Sequence, residues 1–536
     1  MAIVVTLARQ LWAGLFITAR THPVTSVLLS YFVYILVRQR KTAIGARPRD
    51  DLPGPEGHPL IGNTLDLAKR KNGSNYQIQT AYHEKYGPVY AMTVFGLGRI
   101  INVTDPEMVD HVLRANFWNY IKGDYFKTVL EPLLGEGIFG VDGEHWKWQR
   151  KLASHIFNVN SFRTYTSSVF CGETQLVEAY FNKIADNPDK VVNLQDIFYK
   201  YTLDSFGQVA FGQSFGCLVD PEQDVEFALA FDRLNNSLAE RFQSPLWKLG
   251  EWLSGRSEEI KKDVGTVHGF AYDVIQKRRE QMNQNVHKTI QEQARGDSEG
   301  PGNRIEEKHK KDLLQLFMEA EGDSGEPLSD KMLKDILLNF GLAGRDTTAQ
   351  ALTWMFYLIH RSGARQEILE KLEEETDRVL KGGNPTYEST KQQKYAEACL
   401  YETLRLYPPV PQNMKVCVED DILPGGVKIY KGEKFGWSTW AMGRSTANWG
   451  PDACEFKPER WLNGDKPSQA KFASFHHGPR TCLGQQFATI EAITIMSMLV
   501  QKFRFELMDP KFEPSYSNSL TLPMAGGLPV RVLRRQ

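Results

Sequence analysis

The hydrophobic and polar positions of the chain follow different patterns in successive regions. Near the N-terminus, residues 23–37 (PVTSVLLSYFVYILV) form a run without any charge. From about residue 105 to about residue 410 the apolar positions recur mainly with helical spacing. Residues 88–104 and 415–435, and a segment near the C-terminus, are rich in β-forming residues. These patterns predict a mainly α fold with small β-sheets.

One predicted helix is unusually long. Residues 328–330 form a plausible N-terminal cap, and an apolar pattern then continues as far as Arg361. A helix of this length measures about 45–50 Å, which exceeds most globular helices. Charged residues within it, among them Lys334 and Arg345, argue against a bilayer span. We expect this helix to cross the core of the domain.

Three shorter segments carry local structural signals. Gly96 and Gly98 predict the bend of a hairpin over 88–104, and they do not indicate a dinucleotide loop, because the third glycine is missing. Asp105 is a candidate cap for the helix that follows it. Residues 283–311 are polar, charged and contain glycine, so we predict a solvated loop there.

The N-terminal apolar run predicts a membrane anchor. Residues 23–37 are shorter than the roughly 20 residues of a full span. A start at Thr21, with Arg38 and Arg40 snorkelling to the interface, makes the segment long enough. The basic residues that follow place the rest of the chain in the cytosol by the positive-inside rule. A buried core helix is the alternative, and residues 1–19 are a candidate second membrane segment.

The boundary of the folded domain is predicted from composition. Residues 50–63 (DDLPGPEGHPLIGN) are rich in Pro and Gly and predict a stiff, irregular tether. We therefore assign residues 1–50 to the anchor and its basic linker, and residues 51–536 to one folded domain.

Composition narrows the possible functions. The chain has 536 residues and a formal net charge of −1, which gives no reason to expect nucleic acid as a partner. Its 6 cysteines are far apart and form no CxxC pair, which favours reduced thiols in a reducing compartment.

The strongest candidate for chemistry is Cys482 in the stretch 472–488 (FASFHHGPRTCLGQQFA). His476 and His477 make a zinc site one interpretation, but adjacent histidines rarely converge on one ion. A catalytic nucleophile is a second interpretation, and it would need a partner base. The third is a haem thiolate, for which the loop offers a set of suitable residues. They are a packing ring, a turn glycine, a cation, the ligand and a second glycine: Phe475, Gly478, Arg480, Cys482 and Gly484.

Other constellations carry weaker signals. In the long helix, Thr347 can turn its hydroxyl to the carbonyl oxygen of Ala343, beside Asp346, which suits a proton relay or a small bound molecule. A packing glycine (Gly344) with solvent-facing charges is the alternative there.

Two pairs of side chains each share one face of a helix. Glu402 and Arg405 are three residues apart, and Trp146 and Arg150 are four apart. Most pairs like the first are surface ion pairs of little energetic value. The second pair offers two hydrogen-bond donors to an anionic group.

Together these motifs resemble the cytochrome P450 superfamily. FHHGPRTCLG resembles its FxxGxRxCxG signature, AGRDTT its oxygen-activating motif in the central I helix, and ETLR its ExxR pair. FKPERW is similar to the segment that supplies a third partner, WKWQR to the propionate-binding helix, and LPGPEGHPLIGN to the proline-rich hinge. The resemblance covers the chain from about residue 50 to the end.

The resemblance implies roles for named residues. Cys482 would be the iron ligand of a non-covalent haem b, held also by Trp146, Arg150, Phe475, Gly478, Arg480 and Gly484. Asp346 and Thr347 would relay protons, with Gly344 leaving room beside the iron. Glu402, Arg405 and Arg460 would be structural. The apolar pocket would include Phe340, Ala343, Val410, Met414, Leu520 and Leu522, and Lys122 is a candidate carboxylate anchor at the channel mouth.

A narrower resemblance concerns the substrate. Residues 119–157, 343–359 and 402–417 are similar to the fatty-acid and alkane hydroxylases of plants and fungi. Ala343 stands where some animal fatty-acid hydroxylases carry a Glu that esterifies the haem, so non-covalent haem is expected. His476 and His477 stand where that branch often has an Asn-Ala type pair, and no role is assigned to them.

The resemblance also implies partners and a location. The electron donor would be an NADPH–cytochrome reductase, with cytochrome b5 as an additional candidate, and Lys147 and Lys151 are candidate docking residues. The enzyme would use O2 and a lipophilic substrate at the endoplasmic reticulum membrane, with its catalytic domain in the cytosol. Alternatives are a monooxygenase of terpenoids, sterols or xenobiotics, an O2-independent isomerase or dehydratase, and a haem-binding sensor or carrier.

Overall fold

Helices form most of the chain between residues 106 and 406 in the computed structural model. The structure describes residues 23–68, 75–157, 160–187, 189–295, 312–322, 325–361, 365–462, 464, 466–509 and 511–535. The helices are α1 (Pro23–Arg38), α2 (Thr64–Ala68), α3 (Asn75–Tyr86), α4 (Pro106–Asp110), α5 (Gly123–Leu134), α6 (Gly143–Phe157), α7 (Asn160–Ala185), α8 (Leu194–Phe211), α9 (Glu226–Gln243), α10 (Trp247–Ser254), α11 (Arg256–Arg295), α12 (Leu313–Met318), α13 (Asp330–Arg361), α14 (Arg365–Leu380), α15 (Tyr387–Gln392), α16 (Lys394–Leu406), α17 (Thr439–Arg444), α18 (Thr446–Trp449) and α19 (Gln485–Lys502).

Within the described residues, the strands form three small sheets. They are β1 (Val89–Val94), β2 (Gly98–Val103), β3 (Tyr120–Ile121), β4 (Val191–Asn193), β5 (Asn413–Cys417), β6 (Asp421–Leu423), β7 (Val427–Ile429), β8 (Lys434–Trp437), β9 (Phe503–Leu507) and β10 (Pro529–Arg534). The largest sheet has the order β1-β2-β8-β5-β3, in which only β2 and β8 run parallel. A second sheet has the order β4-β10-β9, and β6 pairs with β7. The predicted mainly α fold with small β-sheets is confirmed.

The largest apolar core lies among α8, α13, α16 and α19. Phe198, Trp354, Leu400 and Met496, one from each helix, are all buried in this cluster. The long helix α13 has 32 residues and passes through this core, as its apolar pattern predicts. Its N-terminus is capped by Ser329, whose hydroxyl accepts the N–H of Met332 at 3.3 Å.

Local turn and cap predictions also hold. β1 and β2 pair antiparallel, with Val94 opposite Gly98 across the predicted bend. Gly96 and Gly98 have φ values of 76° and 78°, which a residue with a side chain rarely adopts. The carboxylate of Asp105 accepts the backbone N–H groups of the first turn of α4 at 2.7 and 3.2 Å.

The loop predicted over 283–311 is partly wrong. Helix α11 continues to Arg295, so the first 13 residues of the predicted loop, 283–295, are helical. The segment from 283 to 295 contains Gln, Glu, Lys, Ala and Arg but neither Gly nor Pro, and a preceding helix extends readily through such residues. Residues 296–311 lie outside the described residues.

The N-terminal segment is only partly described. Helix α1 has 16 residues, and residues 1–19 and Thr21 lie outside the described part. Among the helices that the structure describes, none has the length and apolar character that crossing a bilayer requires. The tether at 50–63 contains no helix and lies along β1, where Ala91 donates its N–H to the carbonyl oxygen of Pro53 at 2.8 Å.

Candidate functional site

Cys482 lies in a short loop between the 3-10 turn Gly478–Arg480 and helix α19. Its backbone N–H donates to the carbonyl oxygen of Phe475 at 2.8 Å, which closes the loop. Cys482 has exposed surface, yet burial by the surrounding protein raises the pKa of its thiol. We infer that the sulfur lies in a recess of the molecule, here called the cleft.

The start of α19 favours a negatively charged sulfur. Burial raises the pKa of Cys482, whereas backbone hydrogen bonds from Gly484 and Gln485 and the charge of Arg150 lower it. Gly484 is the N-cap of α19, so the N–H groups at the helix N-terminus are directed at the sulfur. This arrangement suits a thiolate that binds a metal.

Gly478 is required by close packing. Its φ is 67°, and a Cβ at this position would collide with the carbonyl oxygen of Leu113. The turn of the Cys482 loop therefore rests on the backbone of the π-helical turn His111–Ala115. Gly484 is different, because a Cβ there would lie 3.9 Å from the Cys482 sulfur, an ordinary contact.

Arg480 is held by the segment that precedes α6. Its guanidinium donates to the carbonyl oxygen of Val141 and to the carboxylate of Asp142, both at 2.8 Å. It also lies 4.5 Å from the centroid of the Trp146 ring. Its Nε is buried and has no hydrogen-bond partner within the described residues. Burial lowers the pKa of Arg480 to about 10.

Two lysines join Arg480 to form a cation cluster, here defined as Lys122, Lys415 and Arg480. Lys415 is fully buried, and the other two residues are half-buried. Burial, with Arg480 as a neighbouring charge, lowers the pKa of Lys122 to about 7. The pKa of Lys415 lies well below its usual range for the same reasons. Asp142 is the one carboxylate that raises these two pKa values, so the described groups leave the cation cluster short of negative charge.

Lys122 and Lys415 differ in whether the sequence pointed to them. The ammonium of Lys122 lies 4.3 Å from the centroid of the Phe126 ring, and its backbone N–H donates to the carboxylate of Asp142, at 3.0 Å, which also binds Arg480. The expected place of this side chain at a channel mouth stays a prediction. Lys415 was not predicted at all. The structure shows it on the inward face of β5, with an exposure of 1%. The available signal in the sequence was a lysine within a β-rich segment.

His477 attaches the Cys482 loop to α4. Its Nε2 lies 2.7 Å from the carboxylate of Asp110, the last residue of that helix. Arg114 and then His477 hold the pKa of Asp110 at about 2. The histidine pair therefore does not form a metal site, and the structure contains no group of three or more potential metal ligands among the described residues.

The hydroxyl of Thr347 is turned back into helix α13, as predicted. It donates to the carbonyl oxygen of Ala343 at 2.6 Å. For Gly344, the expected room beside the iron stays a prediction. A Cβ on Gly344 would lie 2.8 Å from the ring of Phe206 in α8, so this glycine permits helix–helix packing.

Asp346 points away from Thr347 toward helix α9. Its carboxylate accepts hydrogen bonds from Asn235 at 3.1 Å and from Arg345 at 3.0 Å. Arg345 also binds both carboxylate oxygens of Asp232, at 2.5 and 3.0 Å, and the Asp232 side chain is 44% exposed. Burial raises the pKa of Asp346 to about 7. A buried carboxyl with a raised pKa is thus joined through Arg345 to the partly exposed Asp232.

Glu402 and Arg405 form a fully buried ion pair and not a surface pair. The guanidinium donates to both carboxylate oxygens at 2.8 and 2.7 Å, and both side chains have an exposure of 0%. Glu402 also accepts from Arg460 at 3.3 Å, from Trp461 at 3.0 Å and from the backbone of Lys457 at 2.9 Å. The structure therefore brings the three predicted structural residues together.

The predicted pocket residues do not all face one space. Leu520 packs in an apolar cluster with Leu342 and Phe126. Leu342 directly precedes Ala343 in α13. Met414 packs against a separate cluster around β1 and β2, and Val410 is 36% exposed.

Two pocket predictions need correction. Leu522 has an exposure of 0%, and its backbone binds Gln350 at 2.7 Å and Trp354 at 2.8 Å, so it belongs to the core. The ring of Phe340 stacks on Phe157 at 5.5 Å and faces a helix interface. Both residues were assigned by their position in the family's sequence pattern. That position does not determine the direction in which a side chain points.

Comparison with known proteins identifies the family. The cytochrome P450 family model matches residues 52–528. The chain is 37% identical to cytochrome P450 monooxygenase cyp1 of Mycosarcoma maydis over 97% of this chain and 82% of that relative. It is 33% identical to cytochrome P450 704B1 of Arabidopsis thaliana over 90% and 95% of the two chains, and 30% identical to cytochrome P450 94A2 of Vicia sativa over 95% and 97%.

The chain belongs to the cytochrome P450 family, and it is a monooxygenase with a cysteine-ligated haem. The residues at the site fit such a group. The sulfur of Cys482 accepts hydrogen bonds from backbone N–H groups at the start of α19, which suits an iron ligand. The cation cluster lacks the negative charge that the two carboxylates of haem would supply. The buried Nε of Arg480 offers a further donor to a carboxylate.

We predict that Glu402→Gln destabilises the protein by roughly 3–5 kcal/mol, because it leaves the Arg405 guanidinium buried without a counter-charge. The free energy of unfolding, followed by circular dichroism in denaturant, measures the effect. The fraction of protein with a thiolate-type band in the reduced CO complex should fall in parallel. Glu397→Gln, on the same helix, removes a partly exposed pair with Lys394 and should cost less than about 1 kcal/mol. Equal stability of Glu402→Gln and the wild type would contradict the proposed dependence.

Proposed function

We propose that the protein hydroxylates fatty acids or alkanes at or near the terminal methyl group, with O2 and electrons from an NADPH-dependent reductase. The observation that carries the proposal is the hydroxyl of Thr347, bonded to the carbonyl oxygen of Ala343, which directly follows Leu342 of the apolar cluster that also contains Leu520. An O2-independent enzyme or a carrier has no need of a proton relay at this place.

Proton handling is assigned to residues of α13. When bound, haem ligated by Cys482 supplies O2 cleavage, because a thiolate pushes electron density toward the iron. The Thr347 hydroxyl donates to the carbonyl oxygen of Ala343 at 2.6 Å, and its oxygen can also accept a hydrogen bond. Burial raises the pKa of Asp346, which favours a protonated carboxyl that can serve as an acid. Arg345 bonds Asp346 to Asp232, whose side chain is 44% exposed.

An aliphatic substrate is supported by the apolar character of the nearby residues. Each methylene group that leaves water contributes about 0.8 kcal/mol to binding. Phe126, Phe242 and Leu520 are partly buried beside Leu342 and can contact such a chain. The similarity of residues 119–157 to plant and fungal fatty-acid and alkane hydroxylases supports the same substrate class, and the relatives include fungal and plant P450s.

The haem is proposed to be haem b, bound without a covalent link. Ala343 has no carboxylate that could form an ester with it. For the electron donor, α6 presents Lys147, whose side chain is 58% exposed, and Lys151, which is also exposed, as candidate contacts for an acidic reductase or cytochrome b5.

We also propose that the protein is held at the endoplasmic reticulum membrane, with the catalytic domain in the cytosol. Helix α1 exposes Val24, Val27 and Leu28 by 62–72%, and basic residues follow it. Helix α10 has no buried residue and exposes Trp252 and Leu253 by 72% and 68%. Exposed apolar surface of this kind suits a lipid interface.

Both apolar segments lead to one hairpin turn. Ala43, just beyond α1, donates its N–H to Thr93 in β1 at 3.1 Å. Gly96, in the turn that follows β1, lies against Pro245, two residues before α10. The two exposed surfaces are therefore available to the same bilayer.

The substrate proposal predicts NADPH-dependent hydroxylation of lauric, palmitic and oleic acids and of hexadecane by the reductase-supported enzyme. Product positions are determined by mass spectrometry, and we expect terminal or subterminal alcohols. Activity on hexadecane as well as on the acids would indicate that no carboxylate anchor is needed. Oxidation of sterols or terpenoids alone, or product formation without O2, would contradict the proposal.

The relay proposal predicts that Thr347→Ala keeps normal haem binding but separates oxygen use from product formation. The hydroxyl that would hold the proton at the cleft is then absent, so reducing equivalents should end mainly in hydrogen peroxide. NADPH consumption, peroxide and product are measured together, and we expect coupling to fall about tenfold or more. Thr353→Ala is the matched control, because its hydroxyl makes the same bond to the carbonyl four residues earlier at 2.8 Å, but in the core. Wild-type coupling in Thr347→Ala would exclude the relay role.

The membrane proposal predicts that the full-length protein binds vesicles and that brominated acyl chains quench its fluorescence. Trp252→Leu should reduce this quenching, because the indole lies on the face that contacts lipid. Trp118→Leu, which removes an indole that is 59% exposed elsewhere, should leave it unchanged. No vesicle binding would refute the anchor, and binding with equal quenching in both variants would refute the contact through α10.

A further inference from the structure

His476 occupies an unfavourable backbone conformation. Its φ is 63° and its ψ is −170°, a combination that glycine adopts much more readily than a residue with a side chain. It directly follows the turn Ala473–Phe475 and lies six residues before Cys482. A histidine in this conformation costs stability, so its side chain should have a use that glycine or a smaller residue cannot provide.

The orientation of the ring is determined by its neighbours. The backbone N–H of His477 lies 2.8 Å from Nδ1 of His476 and can only donate. Nδ1 is therefore the acceptor, although it also lies 2.9 Å from the carbonyl oxygen of His477, and the ring proton is on Nε2. The ring of Trp437 meets the imidazole edge-on, with centroids 5.5 Å apart.

The Nε2–H group lacks a protein acceptor. Nε2 is buried and has no hydrogen-bond partner within the described part of the chain. A buried donor without a partner costs about 1–3 kcal/mol, and native proteins rarely leave one unpaired.

The charges around His476 are those of the cation cluster. Burial, followed by the charges of Lys122 and Lys415 and, more weakly, Arg480, holds the pKa of His476 well below its usual range. The ring is thus neutral, and it adds a donor to the cation cluster without adding another positive charge. A neutral donor that shares its surroundings with these three cations should face the same anion.

We propose that His476 donates a hydrogen bond from Nε2 to a carboxylate of the bound haem. His476 is then a cofactor-binding residue of this chain in addition to Arg480, and the proposal does not depend on which substrate is oxidised. The hydrogen bond would offset the cost of the backbone conformation and of the buried N–H. The neighbouring His477 has a different task, because its Nε2 is bound to Asp110 at 2.7 Å.

The test compares haem release from the wild-type holoenzyme and His476→Phe, with transfer to excess apomyoglobin as the readout. Phenylalanine keeps a ring against Trp437 but removes the donor. Loss of a hydrogen bond to a charged acceptor should accelerate release roughly tenfold to a hundredfold. The matched control is His83→Phe, which replaces another buried-ring histidine whose Nδ1 binds the carbonyl oxygen of Gly87, and its release rate should equal that of the wild type.

A second arm assigns the effect to the carboxylate. Wild-type and His476→Phe proteins are reconstituted with haem dimethyl ester, which carries no carboxylate charge, and the difference between their release rates should largely vanish. If His476→Phe folds poorly, His476→Gly replaces it, because glycine adopts this backbone conformation without strain and has no side-chain donor. Wild-type release from the folded variant would overturn the proposal. So would an equally large difference with the ester, since His476 would then act only through the packing of the loop.

Discussion

The buried ion pair between Glu402 and Arg405 is the interaction on which the position of the sulfur ligand depends. Two charges without solvent are tolerated because every strong donor and acceptor of the pair is satisfied. Arg405 also donates to the carbonyl oxygens of Gly443, Ala453 and Glu455, which holds α17 and the irregular segment after α18 against α16. The pair therefore organises the backbone that leads to the Cys482 loop.

The connection continues from α16 to the ligand through two hydrogen bonds. The hydroxyl of Ser474 donates to the carbonyl oxygen of Leu404 at 2.8 Å, one residue before Arg405. The next residue, Phe475, accepts the N–H of Cys482. On the other side of the cleft, Asp335 and Asn339 of α13 accept the N–H groups of Glu136 and Phe139, both at 3.1 Å. The loop that they hold continues to Val141 and Asp142, which bind Arg480. Helix α13 and the Cys482 loop are thus connected through hydrogen bonds.

How much of this could be predicted depends on sequence distance. The Cys482 loop, the Glu402–Arg405 pair and the Thr347 hydroxyl bond were predictable because each is defined within a few consecutive residues. The partners of Asp346 were not, because Asn235 lies 111 positions away on a different helix.

The surroundings of Lys415 and His476 could not be predicted for the same reason. They form only when β5, the residues before α5 and the Cys482 loop come together in the folded chain. The errors have a related cause. Leu522 and Phe340 were assigned to the substrate pocket by family position. In the structure, the direction of each side chain places it in the packed interior instead. The helical continuation of α11 to Arg295 was missed because polar composition was given more weight than the absence of Gly and Pro.

Two buried sets of charges in this protein follow opposite physical rules. Glu402 and Arg405 neutralise each other, so their value is structural and independent of any ligand. Lys122, Lys415 and Arg480 have the same sign, repel one another and share one carboxylate, so burial of this set works against folding. Perturbed groups that the fold does not need are typical of sites that bind a ligand. The neutral His476 extends this second set without adding to its repulsion, which is the property expected of a residue selected to bind an anion among cations.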